Sequence, residues 1–223
     1  MQWDIICKPS YSLLKVVLDP GESITAEPGA MVYMSHGVKV KTRTGGLRSA
    51  LLRSLLGGES LFLNTFYAKE ESEVWLSPSL PGDISYIELD GTKDLIIQDT
   101  SYLAHHGDVK ISIAWRGFRG LIAEGELFWL KASGRGGVWV TSYGGIVVKE
   151  LREGEKAIVD NFHFVAMDST VRWRIRTFGG LKSFLLGGEG LVIEVEGPGR
   201  VFMQTRSLMP FLELIVKYIG RRK

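Results

Sequence analysis

Gly188-Glu189-Gly190-Leu191-Val192-Ile193-Glu194-Val195-Glu196-Gly197-Pro198-Gly199-Arg200-Val201-Phe202-Met203-Gln204-Thr205-Arg206 holds two strand patterns joined by a Gly-Pro-Gly turn. Leu191, Ile193 and Val195 fall on one side and Glu194 and Glu196 on the other, the period-two signal of a half-buried strand. Gly197-Pro198-Gly199 supplies the backbone angles of a tight reversal. The chain writes this pattern three times. Gly125-Glu126-Leu127-Phe128-Trp129-Leu130 runs through Gly134-Arg135-Gly136-Gly137 into Val138-Trp139-Val140-Thr141-Ser142. Gly58-Glu59-Ser60-Leu61-Phe62-Leu63 leads over a longer loop to Val74-Trp75-Leu76-Ser77-Pro78. Glu59, Glu126 and Glu189 recur about every 65 residues, the size of one supersecondary unit. The expectation is an all-β chain of three degenerate, hairpin-rich modules.

The rest of the sequence falls into the same frame. A turn glycine opens each copy: Gly21 in Asp19-Pro20-Gly21-Glu22, Gly91 after Leu89-Asp90, and Gly154 in Leu151-Arg152-Glu153-Gly154-Glu155. Each copy then has a strand alternating apolar with polar or basic residues: Val38 to Arg43, Val109 to Ile113, and Val171 to Arg176. Gly-bounded apolar inserts follow, with Leu51, Leu52, Leu55 and Leu56 in the first copy and Phe184, Leu185 and Leu186 in the third. The repeats are placed at 11–88, 89–150 and 151–207, in one continuous body spanning 1–223. No Pro/Ser-rich linker divides them. Residues 208–223 have helical spacing: Phe211, Leu214, Ile215, Tyr218 and Ile219 form a stripe. Ser207 can cap this helix and Gly220 can stop it.

Composition narrows the class. With 223 residues, 45% of them hydrophobic and 23% charged, the chain can bury a sizeable core. A net charge of +2 gives no bulk electrostatic case for nucleic acid. Cys7 is the single cysteine, so no internal disulfide can form and a reducing, cytoplasmic setting is expected. Cys7 itself reads as a buried, inert thiol. No apolar run reaches membrane-spanning length, and the N-terminus resembles neither a signal peptide nor a transit peptide. Scarce Asn and Gln beside plentiful Arg, Lys and Glu point to a thermophile.

Ala26-Glu27-Pro28-Gly29-Ala30-Met31, Ser77-Pro78-Ser79-Leu80-Pro81-Gly82-Asp83-Ile84, Val159-Asp160-Asn161 with Val165-Ala166, and Gly199 to Arg206 together resemble the altered-inheritance-of-mitochondria family. The family usually has Gly at the position of Phe162. The resemblance runs from about Tyr11 to Ser207. It implies a fold similar to the tryptophan RNA-binding attenuation protein: three β-sandwich modules about a pseudo-threefold axis, here followed by a short C-terminal α-helix. It implies no known catalysis and no cofactor. Fungal members are tied to mitochondrial inner-membrane organisation. The attenuator's tryptophan and RNA ligands find no matching residues here.

Candidate chemistry is sparse. Glu59, Glu126 and Glu189 could converge on an axis and hold a cation, or each could cap a turn or pair with Arg53, Arg119 or Lys182. His105 and His106 are adjacent on a strand and point to opposite faces, which disfavours a shared metal. Gly134-Arg135-Gly136-Gly137 lacks the Lys-Ser/Thr of a phosphate loop and reads as a turn. Lys39, Lys41, Arg43, Lys110, Arg172, Arg174 and Arg176, interleaved with Trp115 and Trp173, could form a single-stranded RNA face or a solvated outer face. The inserts, together with Phe211, Leu214, Ile215 and Tyr218, are the candidate interaction surface, packed inside or presented to a partner. The C-terminal helix either docks on its own body or meets a second subunit or a membrane surface. The expectation is a non-enzymatic, self-associating scaffold without cofactor or metal, cytoplasmic and peripheral to a membrane at most. The alternative is an RNA- or small-ligand-binding module.

Overall fold

Alternation sets the strands. In β2 (Leu13–Leu18), Leu14, Val16 and Leu18 are fully buried while Leu13, Lys15 and Val17 between them are half-buried. The structure is a computed structural model and describes residues 1–44, 62–116, 128–177 and 191–220. Before β2 lies β1 (Gln2–Ile6). After it come β3 (Ser23–Ala26), β4 (Met31–Met34), β5 (Val38–Thr44), β6 (Phe62–Ala68), β7 (Ser72–Leu76), β8 (Ile84–Asp90) and β9 (Leu95–Gln98). Two long strands follow, β10 (Tyr102–Arg116) and β11 (Phe128–Thr141). The chain continues with β12 (Ile146–Leu151), β13 (Lys156–Asp160), β14 (Phe164–Asp168), β15 (Arg172–Thr177), β16 (Leu191–Glu196) and β17 (Gly199–Gln204). One helix, α1 (Leu208–Gly220), ends it. The described chain is thus mostly β, as expected, with one short C-terminal helix.

The strands form a four-stranded sheet β1-β2-β7-β4, a ten-stranded sheet β12-β17-β14-β9-β11-β10-β3-β6-β5 in which β8 also pairs with β11, and a three-stranded sheet β13-β16-β15. Among the described residues all the strand pairings are antiparallel. Three apolar clusters fill the space between layers. One holds Leu14, Val16, Ile24, Phe66 and Leu76. The second holds Ile87, Leu95, Ile97, Val138 and Phe202. The third holds Val159, Phe164, Met167, Ile193 and Val201.

The turn glycines behave as expected. Gly21, Gly91 and Gly154 have φ of 89°, 85° and 72°, a region that favours glycine. Two of these turns share one device: Glu22 Oε2 accepts from the Asp19 N–H, and Glu155 Oε2 accepts from the Arg152 N–H, each at 2.9 Å. Phe162 sits in a 3-10 turn (Asn161–His163) at negative φ, capped by the Asp160 carboxylate, so no glycine is required there.

Four expectations need correction. The stretch around Gly197-Pro198-Gly199 is not a hairpin, because its arms do not pair. β16 pairs with β13 and β15, whereas β17 pairs with β12 and β14 in another sheet. The turn is a corner between layers; alternation reveals a strand but not its partner. Gly134-Arg135-Gly136-Gly137 is not a turn but the middle of β11, which stays paired with β10 from Arg116↔Phe128 to Tyr102↔Val140. A Cβ at Gly134 or Gly136 would strike the carbonyl of Asp108 or His106, so these glycines allow two long strands to approach closely. Cys7 is exposed, at φ 60° just after β1, because the apolar segment before it is a surface strand. Ser207 does not cap α1; its buried Oγ has no partner.

The arginine strand β15 divides its residues cleanly. Arg174 and Arg176 reach Glu194 at 2.7 and 3.3 Å, and Arg172 pairs with Glu196. Trp173 lies on the opposite face, 4.6 Å from the Trp129 ring and 6.0 Å from Trp115. Arginines and tryptophans therefore share no face here, and the arginines have acidic neighbours.

Asp168 is a buried charge held by one arginine. Arg200 donates to it through its backbone N–H, Nε and a terminal guanidinium nitrogen, at 3.0, 3.0 and 2.8 Å. Burial pushes the Asp168 carboxyl up, but these hydrogen bonds outweigh it and hold the group below its ordinary range. Asp168→Asn should therefore cost about 1–2 kcal/mol at neutral pH, discounted because Arg200 is half-exposed. Its folded pKa is depressed, so this stability is present above the usual carboxylate range and lost as pH falls through the folded pKa. Urea unfolding of both proteins across that range should show the gap closing in acid.

Candidate functional site

Strands that end near one another leave their loop residues facing a common space. The ends of β3, β7, β9, β11, β13 and β17 and the first turn of α1 border a groove of about 550 Å3. Glu27 lies just past β3, Pro78 and Leu80 past β7, and Gln98 at the end of β9. Thr141 closes β11 and is followed by Tyr143; Phe162 stands in the turn after β13. Leu208, Met209 and Leu212 close one side from α1. Gln204 ties the walls together: its Nε2 donates to the Phe162 carbonyl at 2.7 Å, and its Oε1 accepts from the Tyr143 N–H at 2.8 Å.

The groove is lined by apolar side chains together with polar residues from the strand ends. Gln98 and Thr141 are 8% and 5% exposed, and Gln98 Oε1 and Thr141 Oγ1 have no hydrogen-bond partner; nor has Ser207 Oγ. Glu27 is desolvated, which raises its carboxyl to about 7. Behind it, the Tyr102 hydroxyl lies 2.6 Å from His105 Nδ1 and 3.3 Å from the Thr25 carbonyl. Burial pushes the Tyr102 hydroxyl well up and the His105 ring down to about 4, so His105 is neutral at physiological pH. A larger, open cleft of about 1300 Å3 lies beside β12 and β17, but it is lined by charges of both signs, among them the pairs Asp168–Arg200 and Lys149–Glu155.

Above the groove, α1 stands free. Leu208 and Met209 are half-buried, and Phe211 meets Tyr143 with ring centroids 6.2 Å apart. Every residue from Phe211 to Ile219 is exposed, including Leu214 at 51%, Tyr218 at 66% and Ile219 at 68%. The described helix therefore does not dock its apolar stripe on the body.

Residues 3–206 match the profile of the family described as "Mitochondrial biogenesis AIM24". The chain belongs to the AIM24 family. An uncharacterized protein of Streptococcus pyogenes serotype M6 is 26% identical over 98% of this chain and 91% of its own length. The crystal structure of a protein from Streptococcus pyogenes superposes with a TM-score of 0.82 at 27% identity, covering 97% of this chain and 99% of that one. This AIM24 chain thus shares its fold with a solved bacterial structure over almost its whole length.

Of the residues singled out in sequence, Phe211, Leu214, Ile215 and Tyr218 lie together on the exposed helix. Glu59, Glu126, Glu189, Leu51, Leu52, Leu55, Leu56, Phe184, Leu185 and Leu186 lie outside the described residues. His105 and His106 turn to different partners, the latter 3.1 Å from the Tyr86 hydroxyl, and among the described residues no group of three metal-ligating side chains occurs. Among them, too, no helix is long and apolar enough to cross a membrane. Sequence reasoning missed the groove. Its residues stand at element ends far apart in the chain, and the one available signal was that polar residues such as Gln98, Thr141 and Gln204 close otherwise apolar strands.

Glu27 offers a stability test. Its folded pKa is raised to about 7 from an ordinary 4.5, so its contribution to native stability is full below about 4.5 and declines as pH rises through the folded pKa. His105 pulls the opposite way, since the unfolded chain binds its proton first. The comparison with Glu27→Gln isolates Glu27: that variant should match the wild type near pH 4 and exceed it by about 1–2 kcal/mol near pH 8, after discounting for solvent screening. Chemical denaturation at both pH values checks it.

Proposed function

We propose that this chain is a non-enzymatic assembly module that joins further copies of itself through α1. The observation that carries the reading is the exposed apolar surface of that helix. Leu208, Met209, Phe211, Leu212, Leu214, Ile215, Val216, Tyr218 and Ile219 cover an arc of roughly 220° at 3.6 residues per turn, leaving Glu213 and Lys217 on the narrow remainder. A helix lying in a membrane interface keeps a broad polar face. An arc this wide fits better between two surfaces: one its own groove wall, at Leu208 and Met209, the other a neighbour. A second copy can supply that neighbour by twofold exchange of the same patch.

The reading takes the β-body as three copies of one sandwich module about a pseudo-threefold axis, similar to the attenuation-protein fold. Strand pairing supports it. The orders β2-β7-β4, β8-β11-β10 and β12-β17-β14 correspond, as do β3-β6-β5, β9-β11-β10 and β13-β16-β15, with Gly21, Gly91 and Gly154 at matching turns. A body of this kind offers rigid support for the helix rather than a reaction centre. The alternative of a small-ligand module draws support from the groove, and that of an RNA module is weakened by the ion-paired arginines of β15.

Light scattering tests the assembly reading. The full chain should run as a defined oligomer, and the double variant Leu214→Ser/Tyr218→Ser should fall to a single subunit with unchanged β circular dichroism. Loss of two buried side chains at about 1.5–3 kcal/mol each should weaken association more than a hundredfold. A full chain that is monomeric, or a variant that keeps its mass, overturns the proposal; binding of the monomer to anionic vesicles would transfer the helix to a membrane role.

A further inference from the structure

A strand at the rim of a sheet offers a row of unused N–H and C=O groups, and proteins ordinarily blunt such a rim. Among the described residues most rims of this chain are blunted. β4 has four residues and an irregular register with β7 between Met31 and Tyr33. β1 carries Asp4, β5 carries Lys39 and Lys41, β13 carries Lys156, and β15 carries its arginines. β8 carries Glu88 and Asp90, and Lys8 Nζ donates to its Ile84 carbonyl at 3.0 Å. β12 differs. Its six residues pair with β17 in unbroken register, and no described strand lies on its other side. It opens with Ile146-Val147-Val148, and Val147 and Val148 are 50% and 48% exposed on opposite faces.

Which backbone groups face outward follows from the ladder. Just before β12, the Thr205 N–H donates to the Gly145 carbonyl at 3.0 Å. Alternation then turns the backbone groups of Val147, Lys149 and Leu151 toward β17 and leaves the N–H and C=O of Ile146, Val148 and Glu150 pointing away from it. We propose that this edge pairs with β12 of a second copy, antiparallel about a twofold axis at Val148, so that one sheet runs on across two chains. The inference rests on the reading of the chain as self-associating. Only outward-facing residues exchange hydrogen bonds, so a twofold admits few registers. With Val148 opposite its own counterpart, Ile146 stands opposite Glu150 and Val147 opposite Lys149. The outward-facing groups of β12 are then all paired, and no charge faces its like. An axis at Lys149 or Glu150 sets two like charges against each other, and one at Val147 leaves Glu150 opposite the loop before β12. Lys149 is held by Glu155 at 2.8 Å within its own chain.

The edge adjoins the helix assigned above to a neighbouring copy. β17 ends at Gln204, opposite Ile146, and α1 starts at Leu208; Tyr143, just before β12, meets Phe211. One neighbour can therefore cover both. The chain also shows an edge of this kind already covered. β2, which corresponds to β12 in the strand orders given above, takes β1 antiparallel from Gln2↔Val17 to Ile6↔Leu13. A membrane interior is a poor occupant, because hydrocarbon has no partner for the outward N–H and C=O groups.

Cross-linking and dilution of the full chain test this. In a Cys7→Ser background, which removes the exposed native thiol, Val148→Cys should give a disulfide-linked dimer on oxidation. Facing Cα atoms of a hydrogen-bonded antiparallel pair lie about 5.5 Å apart, within reach of a disulfide. Glu150→Cys should not link, since its counterpart lies about 14 Å along the edge. Val148→Pro removes an outward N–H and no bond to β17, so it should keep the β circular dichroism and raise the dissociation constant of the assembly roughly tenfold or more. Val148→Lys, which sets two ammonium groups across the axis, should do the same. Linking through Glu150→Cys instead of Val148→Cys, or unchanged dissociation in both folded Val148 variants, overturns the edge pairing. If that happens while Leu214→Ser/Tyr218→Ser still falls to a single subunit, the helix reading stands without it. If the helix variant keeps its mass and the Val148 variants lose theirs, the edge stands and the helix reading falls. A monomeric full chain overturns both and leaves the edge to an extended segment of another protein.

Discussion

Strand β11 has to serve three cores at once. Trp139 near its C-terminal end is fully buried in the cluster built on β2 and β7, while Trp129 at its start is fully buried in the cluster built on β13, β14 and β16. Leu130, Ala132, Val138 and Val140 of the same strand enter the middle cluster. One strand can do this only if it runs unbroken through the body and β10 follows it closely. Gly134, Gly136 and Gly137 allow that: a Cβ at Gly137 would enter the Tyr86 ring, and at the other two the backbone of β10. Dispersion and desolvation at two indoles, each among the largest side chains a core can hold, then tie the outer clusters to a common axis.

Two physical signals made much of this legible in the sequence. Alternation at Val38 to Arg43 and Val171 to Arg176 marked strands where β5 and β15 occur, and the glycines at 21, 91 and 154 marked turns that need positive φ. Partners were not legible. The arms around Gly197-Pro198-Gly199 look like a hairpin because a corner between layers and a hairpin need the same local residues; long-range packing decides which one forms. At Gly134-Arg135-Gly136-Gly137 the missing side chains signalled close backbone approach, and the same composition reads as a turn. The stripe on residues 211–219 identified the helix correctly, while its exposure depends on where the body ends, which local periodicity does not record. Cys7 was misread because an apolar strand on an edge resembles one in a core.

The groove and the helix are linked by construction. Leu208 and Met209 leave the β-body just after Gln204, whose side chain bonds both the Phe162 carbonyl and the Tyr143 amide. The helix start is thereby fixed to the same wall that carries the orphaned oxygens, while its remaining turns extend into solvent. Side chains that a folded chain ordinarily covers are kept out, and polar atoms that it ordinarily satisfies are kept in. Both departures meet at the start of this helix.

The shared strand also bears on how such a chain can change over generations. In a solenoid each unit touches its neighbours alone, so units are gained or lost and the array still folds. Here each outer core borrows an indole from the middle strand, and Val165 and Phe202 enter the middle core in return. Removing the strands of any one cluster would leave indole-sized or ring-sized voids in what remained. The shared side chains bind the three clusters to one another, so variation is channelled into exposed turns and the terminal helix, where a change leaves the cores untouched.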